Sequence, residues 1–233
     1  LKGSGDLKAI KGKQVNLVEL SVSHYLLARA LNSVGMTMRD VKTVNTADAD
    51  IVGAFATPDV QAAVAWNPQL LAMKEQPGAR EVFSSADIPG EIVDLLVVDT
   101  GTIKANPKLG KALAGIWYET VALMQQQDEA GKKARAAMAK LAGATPEAFD
   151  KQLKTTYLYA DPKEAVAATS SPDLVTTMTR VRDFSFSKGL FQNAASADAV
   201  GMAFPGGKTL GDPQNVTLRF DESYMQLAAD GKL

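Results

Sequence analysis

Glu19, Ser21, Ser23 and His24 lie together in one short stretch, and each carries a group that can hold a hydrogen bond or a proton. Ser21 or Ser23 can cap a following helix by accepting a backbone N–H, which leaves other amides and the positive end of the helix dipole facing any bound molecule. The Glu19 carboxylate beside them repels anions and accepts bonds from neutral or cationic donors. Trp66 offers a flat apolar face for a planar group, and Asp94 adds a second carboxylate, which needs a salt bridge, a hydrogen bond or a cationic ligand if it is buried. His24 has the titration range of a general acid or base, although a histidine in the first turn of a helix is more often a cap or a surface residue. What this set lacks is a nucleophile paired with a base. There is no Gly-x-Ser-x-Gly elbow, no Walker loop and no Gly-x-Gly-x-x-Gly turn. The chemistry on offer is therefore the holding of a small polar solute, by hydrogen bonds and stacking, rather than its transformation.

The elements that would position these residues follow from periodicity. Val15 and Leu17 alternate with polar neighbours as in a strand, and after Ser23 the apolar residues move to helical spacing at Leu26, Leu27, Ala30, Leu31 and Val34. Gly35 stops that helix, and Val41–Val44 starts the next strand. A helical pattern over 48–55 precedes the apolar run Val60–Trp66, which reads as a third strand broken by Asn67-Pro68. Strands alternating with helices predict an α/β, doubly wound parallel sheet. Trp66 then stands at the carboxyl edge of that sheet with Glu19 and Ser21, where ligands bind in open α/β folds. An ordinary tryptophan packs in a core; its place at a strand end favours the ligand role.

Further along, the β-branched run Ile92–Asp99 reads as a buried strand. From Pro107 onward the pattern is helical, with Pro146, Pro162 and Pro172 each opening a helix after Thr145, Asp161 or Ser171. An apolar stripe over 109–124 includes Trp117, most simply a core residue. The expected division is one α/β lobe over residues 13–93, with residues 1–12 and 94–233 as the helix-rich remainder of a second lobe.

Composition narrows the function classes. Of 233 residues 46% are hydrophobic, enough for a real core, and the net charge is −1 without a basic stripe, which argues against a nucleic-acid partner. There are no cysteines and one histidine, so disulfides, thiolate metal sites and a histidine metal cluster are not expected, nor is a cofactor. No apolar run is long enough to span a bilayer.

Ile10-Lys11-Gly12-Lys13-Gln14-Val15, the Ser21–Leu27 helix start, the Asp48–Phe55 helix and Val64-Ala65-Trp66-Asn67-Pro68, in this order and spacing, resemble the nitrate, sulfonate and taurine-type solute-binding proteins of ABC importers. Within them the chain looks most like the urea-type branch linked to urea carboxylase systems. The resemblance implies a type II periplasmic-binding fold of two lobes, each with a doubly wound sheet. It also implies a ligand held between the lobes, a periplasmic or other extracytoplasmic location, and delivery to a membrane permease. Carried over, the pocket would use Glu19 to Ser23 and Trp66, with Asp94 a further candidate. Nitrate and sulfonate binders resemble one another in a small Gly/Ser-rich anion turn, whereas here Glu19 precedes Leu20 and Ser21; a neutral or cationic solute such as urea or guanidine is therefore expected. Members also have about a hundred more residues upstream, so strands completing the second lobe are expected outside this sequence, as is any export signal or lipid anchor. Two other readings remain: an enzyme resembling the thiamine-pyrimidine synthases of the same fold, with His24 in a chemical role, and a sensory module for the same ligand.

Overall fold

The computed structural model describes residues 1–233, which fall into two compact units. The first takes in Leu1–Val93 and Asp183–Leu190, the second Asp94–Arg182 and Phe191–Leu233.

The first unit is built on β1 (Gln14–Leu17), α1 (Val22–Ser33), β2 (Lys42–Asn45), α2 (Asp48–Ala56) and α3 (Gln69–Lys74). β1 pairs in parallel with β2, from Gln14 opposite Lys42 to Leu17 opposite Asn45. On the other edge of β1, Asn16 forms a parallel bridge with Ala63, Asn16 N–H donating to the Ala62 carbonyl at 3.0 Å and Val64 N–H to the Asn16 carbonyl at 2.9 Å. The expected third strand is thus extended chain with a single bridge, hemmed in by Pro58 and Pro68. Its side chains alternate as an extended chain requires. Ala62 and Val64 join the cluster of Val15, Leu17, Leu27 and Leu31 on the α1 side; Ala63 and Ala65 join Ile51, Phe55 and Met73 of α2 and α3. Helices therefore cover both faces, the doubly wound arrangement that the alternation of elements predicts. Leu17, Leu31 and Ile51 are fully buried, each removal from water contributing about 1.5–3 kcal/mol.

The second unit contains α4 (Thr100–Ala105), α5 (Pro107–Gln125), α6 (Glu129–Leu141), α7 (Pro146–Leu153), α8 (Pro162–Thr169), most of α9 (Pro172–Ser187), β3 (Gly201–Ala203), β4 (Thr209–Leu210), β5 (Val216–Arg219) and α10 (Ser223–Ala229). The helix starts are chemically explicit: Asp99, Asp128, Thr145 and Asp161 each accept a first-turn amide through the side chain. The three strands lie in the order β4-β3-β5, with β4 antiparallel and β5 parallel to β3. They enclose Met202 and Phe204 with Met178 and Leu174 of α9, and Phe204 stacks on Phe220 at 5.1 Å.

Two expectations fail here. Residues 92–98 form no strand, and Leu96 and Val97 are 69% and 71% exposed. β-branched content favours extended backbone, but a strand needs a neighbour to take its ladder of hydrogen bonds, and residues 92–98 pair with no strand. Trp117 is 45% exposed rather than in the core. α6 and α10 pack on α5, where Gly110, Val121 and Met124 are buried, and the Tyr224 ring lies over Gly110.

Candidate functional site

β1 ends at Leu17 and α1 begins at Val22, and the turn between them is tied through the amides of Glu19, Leu20 and Ser23. Ser21 caps α1, its Oγ accepting from Ser23 N–H at 3.1 Å while donating to the Val18 carbonyl at 2.7 Å. The Ser21 carbonyl takes the amides of His24 and Tyr25. Glu19 N–H donates to Asn45 Oδ1 at 3.0 Å, which fastens the turn to the end of β2. Leu20 N–H donates to His24 Nδ1 at 3.1 Å, with Leu20 in the left-handed region at φ 61°. The Glu19 carboxylate accepts a hydrogen bond from Thr43 Oγ1 of β2 and remains half-buried on the edge.

Trp66 shares this edge. Glu19 and Trp66 each lie three residues beyond the bridge between Asn16 and Ala63, and in a parallel arrangement both then stand past the carboxyl ends of their segments. The indole is half-buried. The structure thus brings Glu19, Ser21, Ser23 and Trp66 to one sheet edge, with Ser21 half-buried and Ser23 buried. Asp94 is not part of that group: it is exposed, in the irregular run that opens the second unit.

His24 is 5% exposed, not the surface histidine that its sequence position suggests. Its ring stands edge-on to Phe184 at 5.5 Å. Since Nδ1 accepts a bond, the hydrogen-bond network assigns the proton of the neutral ring to Nε2, which is buried without a partner. Burial holds the imidazole pKa below its ordinary value; Lys188 pushes it the same way, and Glu19 opposes them. Thr43 and Asn45 are the other contributors that sequence reasoning did not single out. The signal for them was available, because residues closing β2 must share the edge with those closing β1. α1 itself is anchored from behind: Glu91, also buried, accepts from Tyr25 Oη and, through both oxygens, from Arg29. No group of three or more His, Asp and Glu side chains is placed to hold a metal ion.

A parallel sheet with helices on both faces and a capped turn at its carboxyl edge is the architecture of the periplasmic binding proteins, and solved structures of that fold resemble this one. The periplasmic aliphatic sulphonate-binding protein of Escherichia coli matches with TM-score 0.62 and 20% identity, over 80% of this chain and 60% of that one. The alkanesulfonate-binding protein of Xanthomonas axonopodis pv. citri, bound to MOPS, matches with TM-score 0.57 and 19% identity, over 78% of this chain and 60% of that one. The chain belongs to the NMT1/THI5-like family, whose model matches residues 2–143. Among curated relatives, provisionally named binding proteins of Brucella abortus (strain 2308) and Brucella suis biovar 1 (strain 1330) are each 28% identical over 121 residues. That match takes in 51% of this chain and 38% of each relative, so the chain spans well under two thirds of their length.

Proposed function

We propose that this chain is the solute-binding component of an ABC importer. In this reading it works outside the cytoplasm with membrane permease subunits, and its β1–α1 turn and Trp66 hold a small neutral or cationic nitrogen-rich solute such as urea or guanidinium. Family membership and the periplasmic-binding fold support the transport part. The solute class rests on one observation: the turn keeps a carboxylate at its edge while three of its amides are already committed. The amides of Glu19, Leu20 and Ser23 are committed to Asn45, His24 and Ser21, so an oxyanion would lose those three donors and would meet the Glu19 charge. A planar guanidinium can instead donate to Glu19 and stack on Trp66, a contact contributing about 1–2 kcal/mol when desolvated. The sulfonate-binding neighbours share the fold at an identity too low to carry their ligand over.

Glu19→Gln separates charge from shape. The amide keeps the size and the ability to accept from Thr43 but loses the charge. Guanidinium binding, followed by calorimetric titration, is expected to weaken by about 1.5–3 kcal/mol, the worth of a hydrogen bond to a charged group, while urea binding barely changes. Undiminished guanidinium affinity in a folded Glu19→Gln protein would remove Glu19 from the site.

A further inference from the structure

Leu20 is a non-glycine residue held at φ 61°, in a region that L side chains with no polar group to bond locally seldom enter. A strained backbone of this kind persists only where its surroundings over-determine it. Here one contact fixes it: Leu20 N–H donates to Nδ1 of His24 at 3.1 Å, four residues on and inside the first turn of α1. The ring that accepts this bond cannot easily turn away. It is buried, and Phe184 meets both it and Tyr25 edge-on, at 5.5 and 5.4 Å.

We infer that His24 is a positioning residue: its neutral imidazole holds Leu20 in the left-handed conformation and thereby sets the outward presentation of Glu19 and Ser21, and protonation of the ring releases the turn. A doubly protonated imidazole is a donor at both nitrogens, so Nδ1–H would confront Leu20 N–H and the bond would be lost. The charged groups facing the ring are Lys188, from the segment after α9, and Glu19, from the turn itself. Lys188 and burial favour the neutral form and Glu19 the charged one, with burial the largest influence. The sign follows. The folded state resists protonation more than the unfolded chain, so the ordered turn is fully present above the ordinary histidine value of 6.5 and is lost as pH falls below it through the lowered folded value. The consequence for the backbone is independent of the proposed ligand; the consequence for solute binding rests on that proposal.

The test uses the full chain, isotopically labelled, and the hydrogen-exchange protection factor of the Leu20 amide, which corrects for the intrinsic pH dependence of exchange. Protection is expected to fall about tenfold, the worth of roughly one hydrogen bond, with a midpoint below 6.5. His24→Asn places a non-titrating carbonyl oxygen near the Nδ1 position and should keep Leu20 protected across the range. His24→Leu fills the space without an acceptor and should lose the protection at every pH while circular dichroism is retained. A merely space-filling histidine predicts the opposite for His24→Leu. Guanidinium affinity of the unaltered chain should decline with the same midpoint. Leu20 protection that does not change with pH in the unaltered chain overturns the inference, whatever the variants do. A Leu20 amide that titrates in a protein binding no guanidinium at any pH upholds the inference and overturns only the proposed ligand.

Discussion

Glu91→Ala should cost the protein about 1.5–3 kcal/mol, the worth of charge-assisted hydrogen bonds to a buried carboxylate whose partner Arg29 is itself only half-buried. Glu91 is 8% exposed. Its Oε2 accepts from Arg29 Nε at 2.6 Å and Tyr25 Oη at 2.8 Å, and its Oε1 accepts from Arg29 Nη2 at 2.9 Å. The two-pronged carboxylate raises the guanidinium pKa, chiefly through the side-chain hydrogen bond, which is the mark of a charge stabilised in place. Alanine leaves that guanidinium without its carboxylate on the inner side of α1, and opens a void besides. A melting temperature lower by an amount on the order of 10 °C is expected. Because well-packed apolar pairs often replace buried ion pairs at little cost, the double variant Arg29→Met, Glu91→Leu should recover much of the loss. A midpoint for Glu91→Ala within about 2 °C of the unaltered protein would mean that water already satisfies this pair.

Trp66→Ala should abolish the ligand-induced change in fluorescence and weaken guanidinium binding about tenfold, the equivalent of losing one cation–π contact. The chain has two tryptophans, so the signal can be assigned. Trp117 belongs to the second unit and is 45% exposed, and Trp117→Phe should leave the ligand response intact. If the response survives in Trp66→Ala and vanishes in Trp117→Phe, the solute lies elsewhere.

The edge that carries these predictions is legible in the sequence because it is written in local signals. The change from alternating to helical spacing after Ser23 marks the end of β1 and the start of α1, Ser21 is a cap by residue type, and Asn67-Pro68 stops an extended run just past Trp66. The Pro-led helix starts at 146, 162 and 172 are local in the same way. What was not legible depends on partners far away in the chain. His24 looks exposed until Phe184, from the segment after Arg182, is laid against it. Glu91 is an ordinary loop carboxylate until Arg29 and Tyr25 close on it. Residues 92–98 have the composition of a buried strand, but composition cannot say whether a neighbouring strand exists. The β3–β5 sheet escaped notice for the converse reason: its strands are two to four residues long, separated by glycine, proline and asparagine, too short for alternation to register.

Calorimetric titration of the unaltered chain with guanidinium, urea, nitrate and taurine, at one pH above 6.5 and one ionic strength, bears most directly on the assignment of the β1–α1 turn as a site for a neutral or cationic solute. Saturable binding of guanidinium or urea, with no heat from nitrate or taurine, is the predicted result. Tightest binding of nitrate or taurine would contradict it, because a turn that commits three amides to Asn45, His24 and Ser21 beside the Glu19 carboxylate disfavours an anion.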